Sequence, residues 1–487
     1  MTTTHELFLD GTGVPALDGR TTDDHNPYTG EVYATVAAGG PADVIRAVDA
    51  AQDAFAAWAA TSPSARRNLF LKAADVMESR AEQAAEVMAG EVGGTYGWAL
   101  FNIGLAANIL REAASAATQP VGEVLSTDIG GGALSLAVRE PVGVVGAFAP
   151  WNAPIILGTR AIAVPLAVGN TVVLKPSEEA PIASGLFIAD VLREAGLPAG
   201  VLNVVTNAPE DAAAVAESLI SDNRVRVVNF TGSTKTGRII GTLAAQHIKP
   251  AVLELGGKNA VLVLDDADLD YAVDAVTFGV FHNAGQICMS TDRVLVHQSI
   301  AEDFTAALAA KVSSLKHGDP TDKSTIVGPL VNSAAAQRVA KLVEEAVADG
   351  ARVRAGGGKP DGARYAATVL DNVDPKMRIF HEEIFGPVCT VITVETDDEA
   401  IAIANDTEYG LTAGVLTEDS RRGMAVARQL RTGIVHVNNQ TVADEPQAPF
   451  GGVKSTGYGR FGGRWGAEAF TDTRWITVAG EHGHFPY

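Results

Sequence analysis

The sequence predicts an α/β protein with a doubly wound parallel sheet, a second α/β domain and a small β element. Helical and β-branched segments alternate over residues 171–246, and the alternation restarts after Leu253. Two strand-like segments, 133–138 and 471–487, belong to neither series. A chain of 487 residues is also too long for one ordinary core, so two or three domains are expected.

The N-terminal region is predicted to be helical to about residue 117. Its apolar residues recur every three or four positions, which is the spacing of a helix with one buried face: Val44, Val48, Ala51, Phe55 and Trp58. Strand-like segments begin only after this region.

The longest uncharged run, 141–159, is close to the length of a membrane span. Pro150 and Pro154 interrupt it and would break a spanning helix. We interpret this run as a buried strand and a loop.

The central part of the chain reads as repeated βαβ units. Gly196 and Pro198 end the first helix, and a Gly-Ser turn opens the last one. Parallel strands joined in this way bind ligands beyond their carboxyl ends. The expected segments are strand 171–174, helix 181–195, strand 201–205, helix 212–220, strand 225–230 and helix 234–246.

A second α/β domain is expected after Leu253. Its first segments are strand 260–264, helix 269–281, strand 294–297 and a helix from residue 301 onward. The segments 133–138 and 471–487 are expected to pair with each other or with another subunit.

The composition limits the partners and the compartment. With 37 Lys and Arg against 58 Asp and Glu, the formal charge is −21, so nucleic acid and an anionic membrane would be repelled. Two cysteines exclude a disulfide framework and favour a reducing cytoplasm. The N-terminal residues lack the basic start and apolar stretch of a signal peptide. We expect a cytoplasmic protein with no nucleic-acid or membrane partner.

Cys288 is a candidate nucleophile because it lies in GQICMS, a turn of small residues after a predicted helix. A thiol there can be presented beside backbone N–H groups. A lone cysteine in a cytosolic protein is, however, more often a small buried hydrophobe. Cys389 lies in a strand-like run and fits that second interpretation, whereas Cys288 is open to both.

Glu254 and Asn152 are candidates for proton transfer and charge stabilisation. Glu254 ends an apolar strand where two glycines turn the chain, so it is either a general base or a carboxylate paired with Lys258 or capping a helix. Asn152 lies in PWNAP, where its amide either donates to a developing oxyanion or holds a turn.

Two further sites lie past strand ends. In FTGSTKTG, residues 230–237, a strand ends and a helix begins. The turn either binds an anion through its backbone N–H groups and the helix dipole, or is an ordinary helix cap. Lys175 and Glu178 lie where a ribose diol is held in such sheets, or they form a surface ion pair.

Seven motifs occur in one order along the chain: PWNAP, LKPSE, FTGST, LELGGKN, GQIC, EEIFGP and PFGGVKSTGYGR. In sequence and order they resemble the aldehyde dehydrogenase superfamily over nearly the whole chain. The resemblance implies an NAD-binding domain over 1–120 and 140–253 and a catalytic domain over 254–450. It also implies an oligomerisation element over 121–139 and 451–487, in a homodimer or homotetramer.

The resemblance also implies roles for the candidates. Cys288 attacks an aldehyde, Glu254 activates the water that hydrolyses the resulting thioester, and Asn152 donates to the oxyanion with the Cys288 N–H. No metal is expected, because the ten histidines show no H-E-x-x-H or similar spacing. The residues implied for NAD are Trp151, Lys175, Glu178, Gly232, Ser233, Gly237, Glu383 and Phe385.

Three positions depart from the family pattern. Phe461 stands where many members carry glutamate, so a second acidic relay is absent. Asn207 stands near a common glycine and is predicted to supply a positive φ. Val442 and Asp444 replace an aromatic residue near the mouth of the substrate tunnel.

The substrate is expected to be an aromatic aldehyde. Trp98, Phe101 and Leu105 share one helix face in the region that lines the family's tunnel, with Phe450 opposite, although a core stripe has the same spacing. The segments GQICMSTDRV and HVNNQTVADEPQAPFGG resemble the branch acting on vanillin, salicylaldehyde and benzaldehyde. Arg160 either meets a ring hydroxyl or carboxylate, or pairs with an acid.

Three alternatives remain. An aliphatic or semialdehyde dehydrogenase of the same superfamily is the nearest. Glu254 argues against a CoA-acylating member, which generally lacks that glutamate. Intact Cys288, Glu254 and Asn152 argue against a silent cofactor-binding protein.

Overall fold

The computed structural model describes residues 3–482 and 485–487. Residues 1, 2, 483 and 484, which the predicted domains include, lie outside the described residues. The strands are β1 Thr3–His5, β2 Leu7–Leu9, β3 Thr12–Val14, β4 Thr21–His25, β5 Val32–Ala37, β6 Gly122–Val124, β7 Leu134–Pro141, β8 Val144–Ala149, β9 Thr171–Pro176, β10 Leu202–Val204, β11 Val225–Thr231, β12 Ala251–Glu254, β13 Asn259–Val263, β14 Thr291–His297, β15 Arg352–Ala355, β16 Thr368–Asp371, β17 Val388–Val394, β18 Thr412–Leu416, β19 Ile434–Val437, β20 Gly457–Tyr458 and β21 Thr471–Val478. The helices are α1 Pro41–Ala59, α2 Pro63–Ser79, α3 Ala81–Val92, α4 Tyr96–Ala116, α5 Pro154–Ala167, α6 Phe187–Ala195, α7 Ala212–Ser221, α8 Thr234–Gln246, α9 Leu269–Phe281, α10 Ala301–Ser313, α11 Ser333–Ala348, α12 Arg378–His381, α13 Asp397–Asn405, α14 Ser420–Ala427 and α15 Gly463–Ala469.

The first large sheet has eight strands in the order β20-β12-β11-β8-β9-β10-β2-β3. The five strands from β12 to β10 are parallel, while β20 and the β2–β3 hairpin add antiparallel edges. The carboxyl ends of the five parallel strands therefore meet along one edge. This edge carries several of the predicted site residues.

Helices cover both faces of this sheet, which confirms the doubly wound prediction. Successive residues of a strand point to opposite faces, and in β8 Val144 joins the core beneath α1, α7 and α8, whereas Val145 joins the core beneath α5 and α6. Both faces are thus apolar, as expected for a buried parallel sheet.

The second large sheet has the order β15-β16-β17-β14-β13-β18-β19. Its strands are parallel except for β15 at the edge. Helices α9 and α10 pack against it through one apolar core. This agrees with the predicted second α/β domain.

The two unassigned strand-like segments pair with each other. β21 lies antiparallel to β7 from Thr471–Pro141 to Val478–Leu134, and β6 pairs with the other side of β7. The rest of the predicted oligomerisation segment 451–487 behaves differently, because β20 belongs to the first large sheet. The β1, β4 and β5 strands form a further small sheet.

The interpretation of residues 141–159 was correct for the strand and wrong for the loop. β8 is fully buried, but helix α5 begins at Pro154 and continues to Ala167. Proline is well tolerated at the first helical position, since its missing N–H would have no partner there. Helix α5 is buried throughout, between the sheet and α4. None of the described helices combines the length and hydropathy needed to cross a bilayer.

Candidate active site

Glu254 is placed by the edge of the first sheet. It is the last residue of β12, opposite Thr231 of β11, and its carbonyl accepts a hydrogen bond from the Gly232 N–H at 3.0 Å. The next residue is held by the segment before β20, because the Leu255 N–H donates to the Thr456 carbonyl at 2.9 Å. The C-terminal segment therefore helps to position the candidate base.

Cys288 comes from the other domain, in a loop after α9. The loop turns through left-handed backbone at Asn283, Ala284 and Gly285, and a Cβ on Gly285 would lie 2.1 Å from the Gly386 carbonyl oxygen. The Asn259 amide then donates to the Cys288 carbonyl at 2.8 Å. These contacts fix the backbone on both sides of the thiol.

Glu254 and Cys288 lie close enough to perturb each other. Burial raises the pKa of Glu254 to about 7, and the nearby thiol opposes this rise. Burial, followed by the charge of Glu254, raises the pKa of the Cys288 thiol well above its usual range. A carboxylate with a pKa near neutrality is suited to accept a proton from the thiol or from water.

The alternative interpretations of Glu254 do not fit its surroundings. Lys258 pairs instead with Asp292, at 3.1 Å, and donates to the Glu382 carbonyl at 2.6 Å. Neither carboxylate oxygen of Glu254 has a hydrogen-bond partner among the described residues. An unpaired buried carboxylate is costly, which is the situation found at functional sites.

Asn152 lies beside Cys288 at the start of α5. Its backbone carbonyl accepts hydrogen bonds from Trp98 Nε1 at 3.1 Å and from Asn283 Nδ2 at 2.8 Å. Its side-chain amide makes no hydrogen bond with any other described residue and faces the same cavity as Cys288. The amide is thus held by a fixed backbone while its donors stay available.

The residues proposed for the cofactor lie along the strand ends. Lys175, near the end of β9, forms an ion pair with Glu178, which follows the strand, and Asn207, after β10, donates to Glu178 Oε1 at 3.0 Å. Lys175 is only 8% exposed, so this is not the surface ion pair considered above. Asn207 does not have a positive φ, so that prediction was wrong. Its side chain, not an unusual backbone conformation, makes the contact with Glu178.

The turn after β11 has the form of an anion site. Ser233 caps α8 by accepting from the Thr236 N–H at 3.3 Å. Gly237, on the first turn of α8, allows close packing, since a Cβ there would lie 2.2 Å from a Leu255 methyl carbon. Gly232 and Ser233 follow β11, Trp151 follows β8 and Lys175 lies in β9, and these strands are neighbours in the sheet. Their ends form one continuous edge, which fits an extended dinucleotide.

Glu383 and Phe385 approach this edge from the other domain. The Gly257 N–H donates to Glu383 Oε1 at 2.9 Å, and a Cβ on Gly256 would lie 2.5 Å from Oε2. The Phe385 ring meets the Trp151 ring edge-on with centroids 5.5 Å apart. This edge provides a carboxylate that can accept from a ribose, an aromatic pair and a turn that can bind phosphate, and it ends at Glu254 and Cys288. These residues therefore fit a nicotinamide nucleotide.

The predicted substrate residues share one cavity, which we call the substrate cavity. Trp98 and Phe101 stack at 5.4 Å, so they form part of a wall rather than a core stripe alone. The residues that line the substrate cavity are Trp98, Phe101, Leu105, Asn152, Ala153, Ile156, Leu157, Arg160, Ile287, Cys288, Met289, Val442, Asp444 and Phe450.

His282 supports this wall and was missed from the sequence. Its ring lies edge-on to Trp98 at 4.9 Å and stacks on Phe278 at 4.6 Å. Burial lowers the pKa of His282 to about 4, so the imidazole is neutral near pH 7. The only sequence signal was its position six residues before Cys288.

Arg160 pairs with an acid, the third of the possibilities considered for it. Its guanidinium is hydrogen-bonded to Asp444, and its Cζ lies 4.1 Å from the centroid of the Phe450 ring. Phe461 is buried and joined to Phe450 by two backbone hydrogen bonds of 2.9 and 3.0 Å.

Comparison with known proteins agrees with this geometry. The model of the aldehyde dehydrogenase family matches residues 15–476. The chain is 51% identical over 480 residues to a vanillin dehydrogenase of Pseudomonas fluorescens, covering 99% of each protein.

Solved structures have the same fold. A salicylaldehyde dehydrogenase of Pseudomonas putida complexed with salicylaldehyde superposes with a TM-score of 0.97 at 44% identity and 100% coverage of both chains. A betaine aldehyde dehydrogenase of Staphylococcus aureus in complex with NAD+ gives 0.94 at 34% identity, covering 99% of this chain and 95% of that one. The resemblance seen in the seven motifs is confirmed, and the chain belongs to the aldehyde dehydrogenase family.

Proposed function

We propose that this protein oxidises an aromatic aldehyde to the carboxylic acid with NAD. The observation that carries the proposal is that Cys288, Glu254 and Asn152 meet where an aromatic-walled cavity reaches the cofactor edge of the first sheet. The family makes the chain an oxidoreductase acting on aldehydes, with a nicotinamide cofactor. Relatives named for vanillin and salicylaldehyde support the aromatic substrate.

The first half of the reaction uses the thiol. The Cys288 thiol releases its proton to solvent, and the thiolate sulfur bonds to the aldehyde carbon while the carbonyl π electrons move to oxygen. The Asn152 amide and the Cys288 N–H donate to this oxyanion. Lys175, Glu178, Gly232 and Ser233 would hold NAD, which would supply the acceptor for the hydride of the aldehyde carbon. A thioester on Cys288 remains.

The second half releases the acid. Glu254 takes a proton from water as the water oxygen attacks the thioester carbon, and the oxyanion again meets the Asn152 amide. Collapse of this adduct breaks the carbon–sulfur bond and restores the thiolate. Because Glu254 titrates near pH 7, this step should become faster as pH rises through about 7.

Aromatic aldehydes should be oxidised more efficiently than short aliphatic ones. A ring buries apolar area against Phe101 and Phe450, so kcat/KM for benzaldehyde or vanillin should exceed that for acetaldehyde by about 10-fold or more. Phe101→Ala should remove most of this preference. Leu100→Ala, on the exposed side of the same helix, is the matched control. Higher efficiency with acetaldehyde or succinic semialdehyde would contradict the proposed substrate class.

NAD should be preferred over NADP by about 10-fold or more, because Glu178 can accept from a ribose diol but repels a 2′-phosphate in a partly buried site. Glu178→Gln should reduce this ratio of kcat/KM values. Glu179→Gln is the control, since that side chain accepts from Asn332 instead. Equal or better efficiency with NADP in the unmodified protein would remove Glu178 from this role.

We also propose the domain roles implied by the family. Residues 1–120 and 140–253 would hold NAD, 254–450 would supply the thiol, and 121–139 with 451–487, apart from β20, would join subunits. The β6–β7–β21 sheet exposes Val121, Val124 and Trp475 at 65, 76 and 71%, which suits a dimer or tetramer interface. Sedimentation of the purified protein tests this directly.

A further inference from the structure

The substrate cavity contains one charged pair in an otherwise mainly apolar wall. The side chains of Arg160 and Asp444 are 7% and 3% exposed. Their neighbours in the cavity include Leu157 and Phe450. A buried ion pair usually costs about as much desolvation energy as it recovers, so stability alone does not account for it.

The pair is joined through only one hydrogen-bonding atom of each side chain. Nη2 of Arg160 donates to Oδ2 of Asp444. Nε and Nη1 of Arg160 and Oδ1 of Asp444 make no hydrogen bond with any described residue. These three atoms are nevertheless not fully buried. The pair therefore keeps free donors and a free acceptor, and both side chains line the substrate cavity as well as the neighbouring cavity that contains Glu112.

The pair is placed between the two domains, beside the substrate cavity. Asn152 precedes α5, and Arg160 lies six residues after the first residue of this helix, Pro154, which is about 9 Å along its axis at 1.5 Å per residue. Phe450 supports the guanidinium from the other domain at 4.1 Å. Cys288 and the pair line the same cavity, so a ring whose aldehyde carbon reaches Cys288 lies beside the pair.

We propose that Arg160 and Asp444 together select a phenolic hydroxyl on the ring carbon opposite the aldehyde. The hydroxyl donates its proton in a hydrogen bond to Oδ1 of Asp444, and its oxygen accepts from Arg160. A carboxylate would match Arg160 but be repelled by Asp444. An apolar substituent would displace water from the pair and leave both side chains unsatisfied. This inference rests on the proposed oxidation of aromatic aldehydes.

The first test compares substrates of the unmodified protein. The ratio of kcat/KM values for 4-hydroxybenzaldehyde and benzaldehyde should be about 10 or more, since a site that bonds a hydroxyl discriminates strongly against its absence. 4-Formylbenzoate should be the poorest of the three. Equal efficiencies for 4-hydroxybenzaldehyde and benzaldehyde would overturn the inference and leave the proposed function intact, whereas no turnover of any aromatic aldehyde would overturn both.

The second test reverses the selection. Asp444→Asn removes the repulsion while Arg160 stays charged, so the efficiency with 4-formylbenzoate relative to 4-hydroxybenzaldehyde should rise about 10-fold or more. Glu112→Gln is the matched control, because Glu112 lies beside the same pair but lines a neighbouring cavity. An unchanged ratio in Asp444→Asn would overturn the inference.

A double variant covers the case in which Asp444→Asn leaves Arg160 unpaired and does not fold. Arg160→Leu with Asp444→Leu replaces the pair by apolar side chains, a change that is often neutral for stability. The advantage of 4-hydroxybenzaldehyde over benzaldehyde should disappear, so the ratio of the two kcat/KM values should fall to about 1. Retention of the hydroxyl advantage would show that the pair does not recognise the ring.

Discussion

Replacing Cys288 with alanine should abolish hydride transfer while leaving cofactor binding intact. Without the thiol no covalent adduct forms, so turnover should fall by at least ~10⁴-fold, as is typical when a nucleophile is removed. The strand-end residues proposed for NAD do not depend on this side chain. Absorbance of the reduced nicotinamide measures turnover, and quenching of protein fluorescence by added NAD measures binding.

Cys389 provides a matched control for this change. It is the other cysteine of the chain, is fully buried in β17 and does not line the substrate cavity. Cys389→Ala should keep most of the activity at a small cost in stability. If Cys288→Ala retained more than a few per cent of turnover, or Cys389→Ala lost it, the assignment of the nucleophile would be wrong.

Regular elements with a clear apolar period could be predicted closely. Helices α8 and α9 have the bounds expected for residues 234–246 and 269–281, since each is opened by a recognisable cap, Ser233 or Asp268. Short edge strands could not be predicted. β2, β3 and β20 have two or three residues each, and their place in the sheet depends on partners distant in the chain.

The catalytic candidates could be found because each lies in a compact motif at a strand end or turn. Their surroundings could not. Asp444 meets Arg160 across 284 residues of sequence, and the pKa of His282 is lowered only because the fold buries its imidazole. Spacing along the chain contains no information about such pairings, which depend on how two domains pack.

Replacing Glu254 with glutamine should separate the two halves of the reaction. Glutamine keeps the shape of the side chain but cannot accept a proton from water, so steady-state turnover should fall by about 10²- to 10⁴-fold. If the thiol is still activated, one equivalent of reduced cofactor should appear rapidly and then production should stop. Mass spectrometry of that sample should find the acyl group on the Cys288 peptide.

The pH profile makes this test specific to the proton on Glu254. A group whose pKa is raised to about 7 is protonated and inactive as a base at lower pH, so turnover of the unmodified protein should rise as pH increases through about 7. Glu254→Gln should lose that rise, whereas a merely structural role would lower turnover equally at every pH. Absence of a burst would indicate that Glu254 also activates the thiol. Normal steady-state turnover in Glu254→Gln would remove this residue from the mechanism.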